Sequence, residues 1–132
     1  MAGPVVIESN LGLEVLQQKG RELFYPGGVI QRFIDSTVLN QVEPYVPFRT
    51  GATTKSGIIN TRIGYGQIKW RTPYVGNIWE GRKKLANGKY SKEFNFDQSR
   101  HKKAQKKWAE AYKHDNLTKL GMMVKRKVAE QF

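Results

Sequence analysis

The most regular hydrophobic pattern in the chain lies between residues 28 and 42. Apolar side chains recur there at steps of three and four, with charged side chains such as Arg32 and Asp35 between them. The positions on the apolar face are Val29, Ile30, Phe33, Ile34, Thr37, Val38 and Val42. This spacing predicts an amphipathic helix, which we expect to end before Pro44 because a residue preceding proline disfavours helical backbone.

Two elements are predicted before this helix. The β-branched run at 5–7 favours a short strand. Asn10 is a suitable N-cap for a first helix, whose apolar positions are Leu13, Leu16, Leu23 and Phe24. The Pro-Gly-Gly sequence at 26–28 is expected to separate this first helix from the next one.

A loop and a hairpin are predicted after the central helix. Residues 43–57 are rich in Pro, Gly, Thr and Ser, a composition that favours an extended loop. Two runs of alternating apolar and polar residues then flank a Gly-Tyr-Gly turn at 64–66, which predicts a β-hairpin with one apolar face. The alternating positions are Ile59, Thr61 and Ile63 before the turn, and Ile68 and Trp70 after it.

A short helix is predicted directly after the hairpin. Thr72 can act as its N-cap, and the proline that follows suits the first helical position. The helix would cover 73–80, end at Gly81 and turn Tyr74 and Ile78 inward.

The remainder of the chain divides into a polar stretch and a helical one. Residues 81–103 are basic and turn-rich, and we expect a projecting second hairpin or a mobile loop. From about Ser99 a helix is predicted, with a break at 114–116 before a last helix. Their apolar positions are Ala104, Trp108, Ala111 and Tyr112, then Leu117, Leu120, Val124 and Val128.

Together these elements predict one α+β domain spanning residues 1–132. The length of 132 residues is that of an ordinary single domain. A small, mainly antiparallel sheet would pack against the long helix at 28–42 and against the C-terminal helices. The loop at 43–57 and the basic insertion at 81–103 would project from this core.

Positive charge is concentrated in one part of the chain. The sequence carries 23 basic and 11 acidic side chains, a net charge of +12. Residues 69–107 hold 12 of the basic and 3 of the acidic side chains, an excess of nine. Such a surface attracts anions, either nucleic acid or an acidic protein.

Composition argues against several classes of protein. There is no Cys, and two His residues are too few for a metal cage, so we expect neither disulfides nor a metal or other cofactor. No apolar run approaches the roughly 20 residues that a membrane span requires. The first residues do not resemble a signal peptide, so we expect a soluble, intracellular chain with no membrane partner.

The candidate catalytic patterns have simpler structural interpretations. Gly64-x-Gly66 lacks the third glycine of a dinucleotide-binding fingerprint and suits a tight turn. His114 and Asp115 are adjacent and would point apart, so a connection between helices explains them, with Asn116 as a cap. His101 lies among cations, as expected on a solvated basic surface. An enzyme, for instance a nuclease using either histidine, is the least supported interpretation, and no catalytic residue is predicted.

The basic stretch is open to three interpretations. Interleaved aromatic side chains, Tyr90, Phe94 and Phe96, could stack on bases while the cations follow phosphates, as in a ribosome- or nucleoid-associated protein. However, no known nucleic-acid-binding motif accompanies them. The stretch could also be a protein-docking surface, which is the interpretation that we favour, or a solvated loop.

An ordered set of motifs between residues 28 and 81 carries a family resemblance. Tyr-Val-Pro-Phe-Arg-Thr-Gly at 45–51 is followed by Lys-Ser-Gly at 55–57, Ile-Lys-Trp at 68–70, Thr-Pro-Tyr-Val at 72–75 and Trp-Glu-Gly at 79–81. In this order the chain resembles the minor capsid, or head–tail connector and tail-completion, proteins of tailed bacteriophages. It departs from their pattern at Val75, where alanine is usual, and in its long basic insertion.

The resemblance implies a structural protein of the virion neck with no enzymatic activity, present in the host cytoplasm during assembly. Six or twelve copies would form a cyclic ring between the head–tail adaptor or stopper proteins at the portal and the tail tube or tail terminator. The expected contact loop comprises Tyr45, Pro47, Arg49, Thr50, Gly51 and Lys55. The expected basic contact surface, facing acidic partners or packaged DNA, comprises Arg82, Lys83, Lys84, Lys89, Lys92, Arg100, Lys102 and Lys103.

Overall fold

The computed structural model of the chain describes residues 4–11, 26–48 and 50–131. The predicted first helix falls on 12–25, and it lies outside the described residues, as does Arg49. The elements in chain order are β1 (Val5–Glu8), α1 (Val29–Val42), a 3₁₀ turn (Glu43–Tyr45), α2 (Ala52–Asn60), β2 (Gln67–Trp70), α3 (Val75–Glu80) and α4 (Trp108–Gln131). An antiparallel sheet with helices packed around it is the α+β class that the sequence predicts.

The central helix α1 is the element that the sequence predicts most closely. Its inner stripe consists of Ile30, Ile34, Val38 and Val42, all buried, at steps of four residues. The stripe packs against α4, and proline at position 44 converts the end of α1 into the 3₁₀ turn. The predicted amphipathic helix is therefore confirmed.

The sheet pairs two strands that are far apart in the sequence, so the predicted hairpin is wrong. Strand β1 is antiparallel to β2, with Val5 opposite Trp70 and Ile7 opposite Ile68. These four side chains share the inner face of the sheet, and the two from β2 are fully buried. The strand predicted at 5–7 is confirmed, whereas residues 59–63 belong to no strand.

Helix α2 occupies the second half of the stretch predicted to be an extended loop. Thr53, Ser56 and Gly57 form its inner face, and they lie against β2. At Gly57 a Cβ atom would lie 2.5 Å from Nε1 of Trp70, so only glycine allows the helix to approach the tryptophan this closely. The isoleucines at 58 and 59 consequently point to solvent instead of into a sheet.

A buried carboxylate holds the turn between α2 and β2. Asp35 on α1 is fully buried, and its Oδ2 accepts hydrogen bonds from the backbone N–H of Gly64 at 2.7 Å and of Gly66 at 3.1 Å. Its Oδ1 accepts hydrogen bonds from the hydroxyl of Ser9 and the amide of Gln31. The two glycines have positive φ angles of 103° and 80°, which confirms a tight turn at 64–66.

The C-terminal helix is continuous, so the predicted break at 114–116 is wrong, and the helix starts at Trp108 instead of near Ser99. Asn116 is not a cap: its side chain donates hydrogen bonds to the carbonyl of Tyr112 and to the hydroxyl of Tyr45. These contacts with the 3₁₀ turn support helical geometry where local propensity is weak. None of the helices in the described ranges has the length and apolar character needed to cross a bilayer.

Three tryptophans form the centre of the core. The ring of Trp108 meets that of Trp70 edge-to-face at a centroid distance of 5.5 Å and that of Trp79 at 4.8 Å. Through them α4, β2 and α3 are packed together. Helix α3 begins two residues later than predicted, without a side-chain cap from Thr72, and it ends at Gly81 as expected. Tyr74 is exposed, which contradicts its predicted inward orientation.

Candidate protein interface

The loop at 46–51 is anchored at its start by Tyr45. Only 2% of this residue is exposed, and its ring packs edge-to-face on that of Tyr112. Its hydroxyl donates to Oδ2 of Asp115 at 2.6 Å and accepts from the side chains of Lys103 and Asn116. The hydrogen bond from Tyr45 is the main reason that the pKa of Asp115 is lowered, with the contact to its histidine neighbour second.

His101 ties the same loop to the basic segment, which we define as residues 81–103. Its Nδ1 lies 2.7 Å from the carbonyl oxygen of Val46, and its Nε2 lies 3.7 Å from a carboxylate oxygen of Glu43. The imidazole ring also meets the ring of Phe48 edge-to-face at 4.9 Å. His101 is therefore buried, not solvated as predicted, because its ring is shared between the loop and the segment.

Backbone hydrogen bonds continue this attachment. The N–H of Lys103 donates to the carbonyl of Pro44 at 3.1 Å, and the N–H of Gln105 donates to that of Tyr45 at 3.3 Å. At the other end of the basic segment, the N–H groups of Gly81 and Arg82 donate to the carbonyl oxygen of Asn77 in α3, at 2.8 and 3.2 Å. The segment is thus fixed at both ends to the folded part of the chain.

Between these fixed ends the basic segment makes a hairpin-like turn. Lys84 and Tyr90 form an isolated antiparallel bridge, and Gly88 has a φ angle of 82°. The guanidinium group of Arg82 stacks 3.8 Å above the ring centroid of Tyr90. This geometry matches the hairpin alternative of the sequence prediction, and nearly every side chain from 82 to 100 is exposed.

The loop and the basic segment enclose one groove together with α3. The groove has a volume of about 750 Å³, within the range of about 300–1,000 Å³ typical of ligand pockets. Most of its lining side chains are apolar or aromatic, and they come from all three walls: Pro47, Phe48, Pro73, Tyr74, Ile78, Phe94 and Phe96. The two segments that the sequence singles out therefore meet at one surface.

The predicted contact loop divides into residues that shape it and residues that face solvent. Tyr45, Pro47 and Gly51 are buried in the chain's own fold. Gly51 has a φ angle of 83°, and a Cβ atom there would lie 3.1 Å from the ring of Phe48. Thr50 and Lys55 are exposed, which leaves them accessible to a partner.

All eight cations of the predicted basic surface are exposed, whereas the acidic side chains near them already have partners. Glu93 accepts a hydrogen bond from Lys106 at 2.7 Å, a contact that lowers the pKa of its carboxyl. Asp97 accepts one from the backbone N–H of Ser99 at 2.8 Å, which lowers the pKa of that carboxyl as well. Among the described residues, Lys103 alone of the eight cations forms a salt bridge, 3.9 Å from Oδ2 of Asp115, so most of the positive charge of the surface is uncompensated. The cations are Arg82, Lys83, Lys84, Lys89, Lys92, Arg100, Lys102 and Lys103.

The sequence singled out Phe94 and Phe96 only as aromatic residues of the basic stretch and predicted Tyr74 to face inward, so it missed that the three side chains line one groove. Tyr74 is 68% exposed and Phe94 is 38% exposed, although both are large aromatic side chains. The available indication was the presence of three aromatic residues within a polar stretch at 90–97, which has no apolar period that would bury them. Neither helical nor strand spacing connects that stretch to residue 74, so only the fold could place them together.

The histidines do not form a recognisable catalytic arrangement in the described part of the chain. His114 is exposed on α4, and its Nδ1 lies 3.2 Å from Oδ1 of Asp115, which contradicts the prediction that the two adjacent side chains point apart. Across residues 4–11, 26–48 and 50–131, no group of three or more His, Asp or Glu side chains is placed to hold a metal ion. The chain has no significant match to a protein-family model, a curated protein or a solved structure.

Proposed function

We propose that this protein is a structural component of the neck of a tailed-bacteriophage virion. Copies assemble into a cyclic ring that joins the DNA-filled head, at its portal and adaptor proteins, to the tail tube. The proposal combines the resemblance of residues 28–81 with one structural observation. The loop at 46–51, which lies within the resembling residues, and the basic segment are separate in the sequence, yet they line a single exposed groove.

This observation favours a joining role over a purely solvated loop. A loop that served only to connect α1 with α2 would need no anchoring to a distant segment. Here Tyr45 and His101 hold the loop against α4 and the basic segment through buried contacts. Ordering these residues costs conformational entropy of about 1–2 kcal/mol each, which is understandable if the ordered surface has a partner.

Removal of the protein from the phage that encodes it tests the proposal. An amber mutation in the coding sequence should yield DNA-filled heads and separate tails by electron microscopy, and the wild-type gene supplied from a plasmid should restore complete virions. Complete particles without the protein would reject the neck assignment. Measuring the mass of the purified protein with and without its neighbouring neck proteins would then give the copy number of the ring.

A second candidate, a basic nucleic-acid-binding protein, is favoured by the exposed cations of the basic segment. Such a protein would bind duplex DNA or RNA with an affinity that falls steeply as salt rises, because each phosphate contact releases counterions. A ring protein should instead ignore free DNA at about physiological salt, where the Debye length is about 8 Å. Fluorescence anisotropy with a labelled duplex, measured over a salt series, separates the two.

A further inference from the structure

The groove described above is lined mainly by apolar and aromatic side chains. Tyr74 lines one wall and Phe94 another, and both leave much of their aromatic surface in water. Aromatic side chains that are exposed and line a concave surface are typical of a binding site, because ligand pockets are lined mainly by apolar and aromatic side chains with a few polar groups among them. Pro47 and Pro73 add rigid apolar surface on the two walls formed by the loop and the start of α3.

The charges around the groove favour an acidic occupant. Lys83 lines the groove directly. The guanidinium group of Arg100 lies 5.2 Å from the ring centroid of Phe48, which is itself a lining residue. Asp97 is the acidic residue in the lining, and its carboxylate is occupied by the N–H of Ser99. A partner that brings carboxylates to the rim would meet Lys83 and Arg100, neither of which forms a salt bridge among the described residues. After the hydrogen bond from Ser99, the charge of Arg100 also helps to lower the pKa of the Asp97 carboxyl.

We propose that this groove binds an extended segment of another protein in which apolar side chains are interspersed with carboxylates. The inference rests on the proposed function, since a joining protein requires such partners, and it adds which surface binds and what chemistry is recognised. Apolar side chains of the segment enter between Tyr74 and Phe94, and its carboxylates face Lys83 and Arg100.

The geometry of the aromatic side chains favours a protein segment over single-stranded nucleic acid. Bases stack on flat, accessible ring faces. Phe94 and Phe96 instead meet each other edge-to-face at 6.2 Å, and one face of Tyr90 is already covered by Arg82. Prolines and edge-on rings make a groove suited to side chains of irregular shape.

A binding measurement with defined peptides tests the proposal. The probe is a fluorescein-labelled peptide of about 12 residues, roughly 40 Å when extended, built from repeated Glu-Phe-Asp-Leu units. We expect it to bind the full-length protein by fluorescence anisotropy, and to bind more weakly as salt rises. Two matched peptides, with Lys in place of the acids or Ser in place of Phe and Leu, should each bind at least about tenfold more weakly.

Substitutions then locate the binding site. The double variant Tyr74→Ala and Phe94→Ala should bind the acidic peptide about tenfold more weakly, because aromatic anchors dominate the affinity of such interfaces. Lys83→Glu should weaken it about threefold, mainly at low salt. The matched controls Tyr65→Ala and Lys119→Glu change an exposed aromatic and an exposed cation outside the groove, and they should retain wild-type affinity. Far-UV circular dichroism and the urea midpoint establish that each variant is folded.

Three outcomes would overturn the proposal: no binding of the acidic peptide, equal binding of all three peptides, or unchanged binding by the groove variants. A labelled oligothymidylate of the same length provides the competing case. The occupant is nucleic acid if three results are found together. The oligothymidylate binds, the groove variants abolish its binding, and the acidic peptide does not bind. None of these results depends on virion morphology, so a neck protein confirmed by electron microscopy could still fail this test.

Discussion

The aromatic side chains of the core and those of the basic segment are used in opposite ways. In the core, Trp108 is fully buried and meets two other indole rings edge-to-face. In the basic segment, Tyr90 is 50% exposed and is covered on one face by a guanidinium group. The first arrangement removes apolar surface from water within one chain, and the second leaves it accessible.

This difference assigns stability and recognition to different parts of the sequence. The core joins β1, β2, α1, α3 and α4, so a change there affects elements that are distant in the chain. The basic segment is attached to the fold at its two ends and contributes little buried surface between them. Substitutions in the core should therefore change the free energy of unfolding, whereas those at exposed positions between the two ends of the segment should change binding alone.

The largest expected effect is at the centre of the tryptophan cluster. Trp108→Ala should lower the free energy of unfolding by about 3–5 kcal/mol, because it removes a fully buried indole and leaves a cavity. Tyr90→Ala, the matched change in the basic segment, should stay within about 0.5 kcal/mol of wild type. Urea unfolding followed by tryptophan fluorescence measures the free energy of unfolding of both variants. Equal losses would contradict the separation of stability from recognition.

The next largest effect is expected at the buried carboxylate. Asp35→Ala should destabilise the protein by about 3 kcal/mol, because the backbone donors of the 64–66 turn lose their acceptor in a buried site. Ser36→Ala, the exposed neighbour on α1, serves as the control and should change stability by less than about 0.5 kcal/mol. If both variants unfold at the wild-type urea concentration, the network does not contribute to stability.

Two glycines test the same comparison, because one packs against the core and the other lies in the basic segment. Gly57→Ala should cost about 1–3 kcal/mol, since its Cβ would lie 2.5 Å from the indole nitrogen of Trp70 and α2 would have to move. At Gly88 a Cβ atom would meet no other atom within 4 Å, although the φ angle of 82° strains alanine. Gly88→Ala should open the local turn without changing global stability by more than about 0.5 kcal/mol. Hydrogen exchange distinguishes local from global opening.

The smallest effect is electrostatic and depends on pH. Since the hydrogen bond from Tyr45 lowers the pKa of Asp115 in the folded state, the ionised carboxylate stabilises the fold above its unfolded pKa of about 4. That contribution is lost as the pH falls through the lowered value. Wild type should therefore exceed Asp115→Asn in urea midpoint at pH 6, and the gap should close towards pH 3. Thr118→Ala, an exposed and uncharged change on the same helix, serves as the control, and its difference from wild type should not close in this way.

The parts of the fold that the sequence predicts are those with a strong local cause. The four-residue repeat of Ile30, Ile34, Val38 and Val42 leaves one face for burial, and this face is buried in the structure. Gly81 takes the left-handed conformation that ends α3, as its position after an apolar turn indicates. In both cases the information lies within a few neighbouring residues.

The misassigned elements depend on contacts that are distant in the sequence. Ile59 alternates with polar neighbours as in a strand, yet it is 78% exposed at the end of α2. Helix α2 forms because its small inner residues fit against Trp70, a contact that its own composition does not reveal. The same applies to β1, whose partner lies roughly sixty residues further along the chain.

The candidate site shows the same division. The proline-containing loop and the basic stretch were recognisable as separate segments from composition and motif. Their attachment through His101 and Val46 was not, because a histidine among cations gives no indication that its ring will be buried against a carbonyl oxygen. The groove itself arises only from that attachment.

The pairing of β1 with β2 has a consequence for how the protein is synthesised. A ribosome adding about 5–20 residues per second needs roughly 3–12 seconds to translate the chain between Glu8 and Gln67. Until Gln67 has been made, the first strand cannot pair with its partner, and Trp108, whose indole packs on Trp70 of that partner, is made later still. Nascent chains stalled before Trp108 should therefore engage chaperones or aggregate, whereas those released after α4 should close rapidly.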